Sequence, residues 1–178
     1  MRWIRLLSAL TKAKFKSKCK AAETTTFPFR VWVTDIDISV ANHAAILTIL
    51  EAGRIDFMVR TNFFHIASKN KWFFPSQAIS VQFYKPLKLF QKAEVLTRIS
   101  FVDEKWIYVE QKIIRNDKII AACLVKNIIK KGRETVPTTD IMKALHIEHL
   151  PSIKYDLIKT FELENVQMNE KIIDQWKH

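Results

Sequence analysis

A chain of 178 residues, 48% hydrophobic and 11% aromatic, is long enough to bury a core without staples and too apolar for disorder. Its formal net charge of +11 favours an anionic partner, whether nucleic acid, anionic lipid or a phosphate-bearing small molecule. Two cysteines, Cys19 and Cys123, are too few for a disulfide framework or a cysteine metal cluster, and a reducing, cytoplasmic setting is the simpler reading.

The first twenty residues, MRWIRLLSALTKAKFKSKCK, predict a basic amphipathic helix. Trp3, Leu6, Leu7 and Leu10 share one face, and Lys12, Lys14, Lys16, Lys18 and Lys20 follow. The apolar part falls far short of the roughly 20 residues of a bilayer span, and no small-residue cleavage pattern follows. Two readings stay open for residues 2 to 18: a membrane-surface helix with Trp3 at the headgroup level, or a helix packed on its own domain or a partner subunit. No recognised RNA- or DNA-binding motif follows, so nucleic acid is not an expected partner.

After Pro28, FRVWV (29 to 33) reads as a strand. Residues 41 to 70 lack proline and read as one long helix, apolar on nearly every side between Ala44 and Leu50 and hence wrapped by other elements. Gly53 inside it costs about 1 kcal/mol relative to alanine. Close approach of a strand to Ala52-Gly53 explains that cost, the alternative being a plain helix irregularity. Residues 78 to 87, 94 to 102, 105 to 114 and 118 to 129 are strands, with turns at Asp103-Glu104 and Arg115-Asn116-Asp117, and they predict an antiparallel meander. The fold class is α+β, an antiparallel sheet curled around a central buried helix. Three regions are expected: an N-terminal segment 1–26, a domain 27–137, and a helical extension 138–178, with helices at TTDIMKALHI and NEKIIDQWKH and an ambiguous stretch between.

The order FRVWV, TDID, a helix ending EAGR, WFFP, SVQFYKPLKLFQKAEVLTRI and a long hairpin resembles the hot-dog-fold acyl-CoA thioesterases. Within them it is most similar to bacterial thioesterase-like proteins of the hydroxybenzoyl-CoA thioesterase branch. The resemblance covers roughly residues 27 to 145. It implies an acyl-CoA substrate, no cofactor, and a homodimer or dimer of dimers with sheets joined edge to edge. The family pattern is D-x-D, a loop carrying G-H-x-N-N, an aromatic, then an acid and an arginine in the helix. Asp35 and Asp37 match D-x-D, Asn42 the first asparagine, Glu51 the acid and Arg54 the arginine. The loop is one residue short, the G-H pair is missing with Val40 at the histidine's place, His43 replaces the second asparagine, and Ile46 replaces the aromatic.

Thioester hydrolysis needs a group that attacks the carbonyl or activates water, and donors for the developing oxyanion. A carboxylate before a helix start and the open N–H groups of the first turn supply both. By the resemblance, Asp37 is the catalytic acid, as nucleophile or general base; the alternative is that Asp37 or Ser39 caps the helix. Asn42 and His43 are expected to bind substrate or water, His43 with the alternative of a surface or capping role. Asp35 is expected either to share Asp37's face or to be solvated or arginine-paired. Glu51 and Arg54 are expected to form an i, i+3 ion pair. His65, His146, His149 and His178 have no metal-site spacing, and no G-x-S-x-G signal is present. Lys85, Lys88, Lys92, Lys126, Lys130, Lys131 and Arg133 could meet nucleotide phosphates, though surface charge alone accounts for most of them. The acyl chain is expected along the Ile46 to Phe57 region, between the helix and the partner subunit. Beside the enzyme reading stand a non-catalytic hot-dog protein binding acyl groups or a partner, and a membrane-surface protein.

Overall fold

The computed structural model describes residues 2–148 and 156–175. A five-stranded antiparallel sheet runs in the order β1-β3-β4-β5-β2, formed by β1 (Thr25–Arg30), β2 (Ser76–Phe83), β3 (Lys92–Val102), β4 (Trp106–Arg115) and β5 (Lys118–Ile128). Its concave face holds α2 (His43–Arg60), whose Ile46, Ile49, Leu50 and Ala52 share one core with Val95, Val109, Ile113 and Val125. This is the expected hot-dog arrangement.

The predicted meander is confined to β3, β4 and β5; β2 crosses to the far edge beside β5 and does not pair with β3. The crossing begins where the Tyr84 and Lys85 N–H groups both turn onto the Ile120 carbonyl (2.8 and 3.2 Å), just before Pro86, which has no N–H to continue a ladder. Asn116 and Asp117, with φ of 49° and 58°, make the tight β4–β5 hairpin that the sequence announced. Asp103 Oδ1 takes the Lys105 and Trp106 N–H groups at 2.8 and 2.7 Å, shaping the β3–β4 turn.

The strand and the helix expected here are both corrected. The strand expected at 29 to 33 ends at Arg30, and Val33–Asp35 curl into a short 3₁₀ turn because Asp35 Oδ2 accepts the Trp32 N–H at 2.9 Å. The helix expected over 41 to 70 is two helices, α2 and α3 (Phe63–Asn70), broken at Asn62 with φ of 63°, a left-handed conformation asparagine tolerates. Nor is α2 covered all round, since Leu47 keeps 42% of its surface.

Gly53 is the point where β3 meets the helix: a Cβ there would stand 2.7 Å from Val95 Cγ1. Beside it, the fully buried Gln111 of β4 donates to the Leu50 carbonyl and to Thr97 Oγ1, both at 2.9 Å, and accepts from Arg54 Nη1 at 2.6 Å. One amide thus joins helix, β3 and β4.

The N-terminal helix α1 (Arg2–Lys14) lies on α2, with Leu6 and Ala9 in the same core. The lysine run beyond it is partly structural. Lys16 Nζ reaches the fully buried carboxylate of Asp56 at 2.7 Å, which Arg60 also approaches at 3.5 Å, and Lys18 Nζ donates to the Val59 carbonyl at 3.1 Å. Trp3 and Leu7, expected on the same apolar face as Leu6, are exposed, Trp3 at 73%.

After a two-residue ribbon of β6 (Lys130–Lys131) and β7 (Glu134–Thr135) comes α4 (Thr138–Ala144), as predicted. The predicted terminal helix, as far as Gln175, is part of a longer one, α5 (Asp156–Gln175), which takes in much of the stretch that sequence left ambiguous; residues 176 to 178 lie outside the described residues. Its Ile158 and Phe161 pack on Phe101, Tyr108 and Leu124, on the convex face of the sheet opposite α2. Tyr108 Oη donates to Glu162, and Lys126 Nζ pairs with Glu162 at 2.9 Å while lying over the Trp106 ring.

Candidate functional site

The segment between β1 and α2 is tied down at several points. The Asn42 N–H reaches the Asp35 carbonyl (2.9 Å), the Ala41 N–H the Leu87 carbonyl (2.7 Å), and the Asp37 N–H the Val40 carbonyl (3.4 Å). Asp35 is 6% exposed and ion-paired with Arg5 of α1. Of the readings open for Asp35, the structure shows the arginine-paired one. The 3₁₀ turn breaks the extended alternation, so Asp35 is buried while Asp37 stands exposed, and the two do not share a face.

Asp37 Oδ1 accepts from Asn42 Nδ2 at 2.9 Å. Asn42 is itself the N-cap of α2, its Oδ1 taking the Ala45 N–H at 2.7 Å, so the helix is capped by Asn42 and by neither Asp37 nor Ser39. His43, the first helical residue, lays its ring edge-on to Phe83 of β2 with centroids 4.6 Å apart. The three residues named from sequence therefore meet at one helix start. In that first turn the N–H groups of His43 and Ala44 have no intrahelical acceptor, and the helix dipole favours negative charge there. A carboxylate and outward donors at one end of a helix can activate a nucleophile and receive an oxyanion.

The departures from the family pattern have local accounts. Val40 is used through its backbone, in a bridge to Lys88, and Ile46 is buried in the core.

A cavity of about 310 Å³ opens along the C-terminal half of α2. Its apolar lining includes Ile55, Phe57, Met58, Phe74, Ile107 and Ile129, with Glu51, Arg54, Ser76 and Asn127 as polar members. The cavity overlaps the stretch expected to take the acyl chain from Glu51 to Phe57 and continues beyond it, and Ile46 lies in the core outside it. Arg54 gives its hydrogen bond to Gln111. Burial lowers the guanidinium's pKa, against the pull of Cys123 and of Glu51.

Sequence reasoning did not outline this cavity, because its walls come from α2, α3, four strands and the residue after α4. It also missed a groove lined by Lys12, Arg30, Trp32, Lys92 and Arg115, of which Lys92 alone had been offered for phosphate contact. Of the lysines offered for phosphate contact, Lys88 lies beside the Asp37 loop, whereas Lys126 is committed to Glu162. Among the described residues no group of three or more His, Cys, Asp or Glu side chains could hold a metal ion; His149 and His178 lie outside them.

A helix cradled in a curled antiparallel sheet, with an acid and its amide partner at the helix start, defines a hot-dog protein of the thioesterase type. The chain belongs to the thioesterase-like superfamily, whose sequence profile matches residues 31–156. It is 33% identical over 96 residues to the probable thioesterase YBR096W of Saccharomyces cerevisiae, a match covering 52% of this chain and 42% of the yeast protein. Among solved structures it is similar to a probable thioesterase from Bartonella henselae (26% identity, 65% of this chain and 97% of that one, TM-score 0.58). A 1,4-dihydroxy-2-naphthoyl-CoA thioesterase from Synechocystis shares the fold (15% identity, 72% and 100% coverage, TM-score 0.61).

Proposed function

We propose that this chain hydrolyses acyl-CoA thioesters, with Asp37 as the catalytic acid residue. The observation that carries the reading is the Asp37 carboxylate fixed by the N-cap Asn42 at the open end of α2. In one route the carboxylate attacks the thioester carbonyl and expels the CoA thiolate, and water then cleaves the mixed anhydride. In the other it takes a proton from water, whose hydroxide attacks the carbonyl and expels the same thiolate. Both yield free acid and CoA. A single turnover in ¹⁸O-water separates them, since only the anhydride route can leave the label in Asp37.

Glu51, at the polar end of the cavity, lies eight residues beyond His43, about 12 Å along the helix at 1.5 Å per residue. A second copy bridges that gap. Antiparallel pairing of two β2 strands about Ile79 and Ser80 sets Ser76, on the cavity wall of one copy, opposite Phe83, which touches His43 of the other. In this homodimer the acyl chain enters one subunit's cavity while its carbonyl meets the other's Asp37. The groove of Lys12, Arg30, Lys92 and Arg115 beside Trp32 suits the nucleotide phosphates and base.

Thiol release from short, long and aromatic acyl-CoAs, with Asp37→Asn in parallel, tests the reading. A fall of about 10²-fold or more in the variant is the expected result. No turnover, or turnover indifferent to Asp37, turns the assignment to a non-catalytic binder of acyl groups or a partner. The observation favouring that second reading is the aliphatic Val40 where the family pattern has histidine.

Membrane-surface contact is a further part of the proposal, alongside a cytoplasmic location. Among the described residues no helix is long and apolar enough to cross a membrane. Trp3, Leu7 and Phe15 are nonetheless exposed beside Lys12 and Lys14. Removing residues 1 to 20 would strip the core of Leu6 and Ala9, so Trp3→Glu/Leu7→Glu is the cleaner variant. Binding to anionic liposomes should weaken in it, and unchanged binding would remove the idea.

A further inference from the structure

We propose that the C-terminal half of α5 clamps a second copy of this chain across the open β2 edge, extending the homodimer proposed above and resting on it. Ile158, Phe161, Asn165, Met168 and Ile172 follow a three-and-four spacing and form a single stripe along the helix. The stripe is buried at its start and bare at its end: Ile158 and Phe161 are 1% and 6% exposed, Met168 and Ile172 56% and 48%.

The change comes where the sheet stops. Phe161 still packs beside Ala78 of β2, while Met168 and Ile172 border an open groove with Ile79 and Ser80 of the same strand. Among the described residues β2 is the last strand of its sheet, with one side of its backbone left unpaired. The helix is thus anchored on its own sheet and carries its apolar stripe along the free edge.

The occupant that fits this groove is a strand, a second copy of β2. The β2 sequence SQAISVQF has neither proline nor lysine, the usual means of blocking a free edge. Ile79 and Phe83 are themselves nearly half exposed. A β2–β2 pair related by a two-fold axis places each α5 over the partner's edge, so the contact is made twice. The anchor at the other end is firm, because Glu162 is held by both Tyr108 and Lys126.

Sedimentation equilibrium of the full chain, of Ser80→Pro and of Met168→Asp/Ile172→Asp tests the clamp, with circular dichroism to establish folding. The proposal expects a wild-type dimer, loss of the dimer in Ser80→Pro, and a dimer Kd raised ~10-fold or more in the double variant. A wild-type dimer broken by Ser80→Pro but with an unchanged Kd in the double variant would overturn the clamp and leave the edge pairing standing. A wild-type monomer at every concentration would overturn both. Hydrogen exchange on the wild type needs no folded variant. The amides of residues 164 to 175 should slow as concentration rises through the dimer Kd, and exchange independent of concentration in a dimer would reject the clamp.

Discussion

Asn42 holds Asp37 and the start of α2 with one side chain, its Nδ2 donating to Asp37 Oδ1 at 2.9 Å and its Oδ1 accepting the Ala45 N–H at 2.7 Å. The two jobs can be separated. Asn42→Ser keeps a good cap but loses the donor to Asp37, so its stability should stay within about 0.5 kcal/mol of wild type while kcat for thioester hydrolysis falls. Asn42→Ala should lose activity and about 1 kcal/mol as well. Urea unfolding and steady-state kinetics on both variants check this; a Ser variant with wild-type kcat would detach Asn42 from the chemistry.

Gly53→Ala sets two effects against each other. Alanine gains up to about 1 kcal/mol of helix propensity, while its methyl meets the buried, stiff Val95 at 2.7 Å. Overpacking costs about 1–3 kcal/mol. Net destabilisation is expected, relieved in the double variant Gly53→Ala/Val95→Ala, and chemical denaturation of the four-member cycle measures the coupling.

Asp56 depends on the N-terminal segment for its main counter-charge. Lys16→Met leaves that fully buried carboxylate with Arg60 alone and should cost about 1–3 kcal/mol, more than Lys14→Met, whose lysine is exposed. Equal melting temperatures for the two variants would contradict this.

Two buried acids set the alkaline limit. Burial pushes the Cys123 thiol up to about 11, with Arg54 pulling the other way, and burial together with Glu162 raises the Tyr108 hydroxyl. Both groups are neutral in either state below about pH 8. Above the ordinary thiol value of 9.0 the unfolded chain ionises first, so stability falls as pH rises toward 11. Urea midpoints across that range should drop, and the slope should be shallower in Cys123→Ala.

Much of the scaffold was legible in the sequence because its signals are local: β-branched runs for the strands, Arg115-Asn116-Asp117 for a turn, an apolar run with one glycine for the helix. The clustering of Asp37, Asn42 and His43 at one helix start was legible for the same reason, since they lie within seven residues of each other. What stayed hidden is what depends on distant partners. Asp35 could not be placed without Arg5, thirty positions away, nor Lys16 without Asp56, forty away. The side exchange of β2 leaves no local mark, since alternation alone does not say which strand is the neighbour. For α5, the apolar stripe was present in the letters, but which sheet face it covers was not.

The two margins of the sheet are chemically unlike. β1 carries Pro28, which can offer no N–H to an incoming strand, whereas β2 presents eight residues without such a block. A sheet that can be extended on one margin only closes on itself after a single addition. Edge pairing in this protein would therefore be self-limiting: it ends at two chains and leaves no template for the strand-by-strand growth that produces filaments.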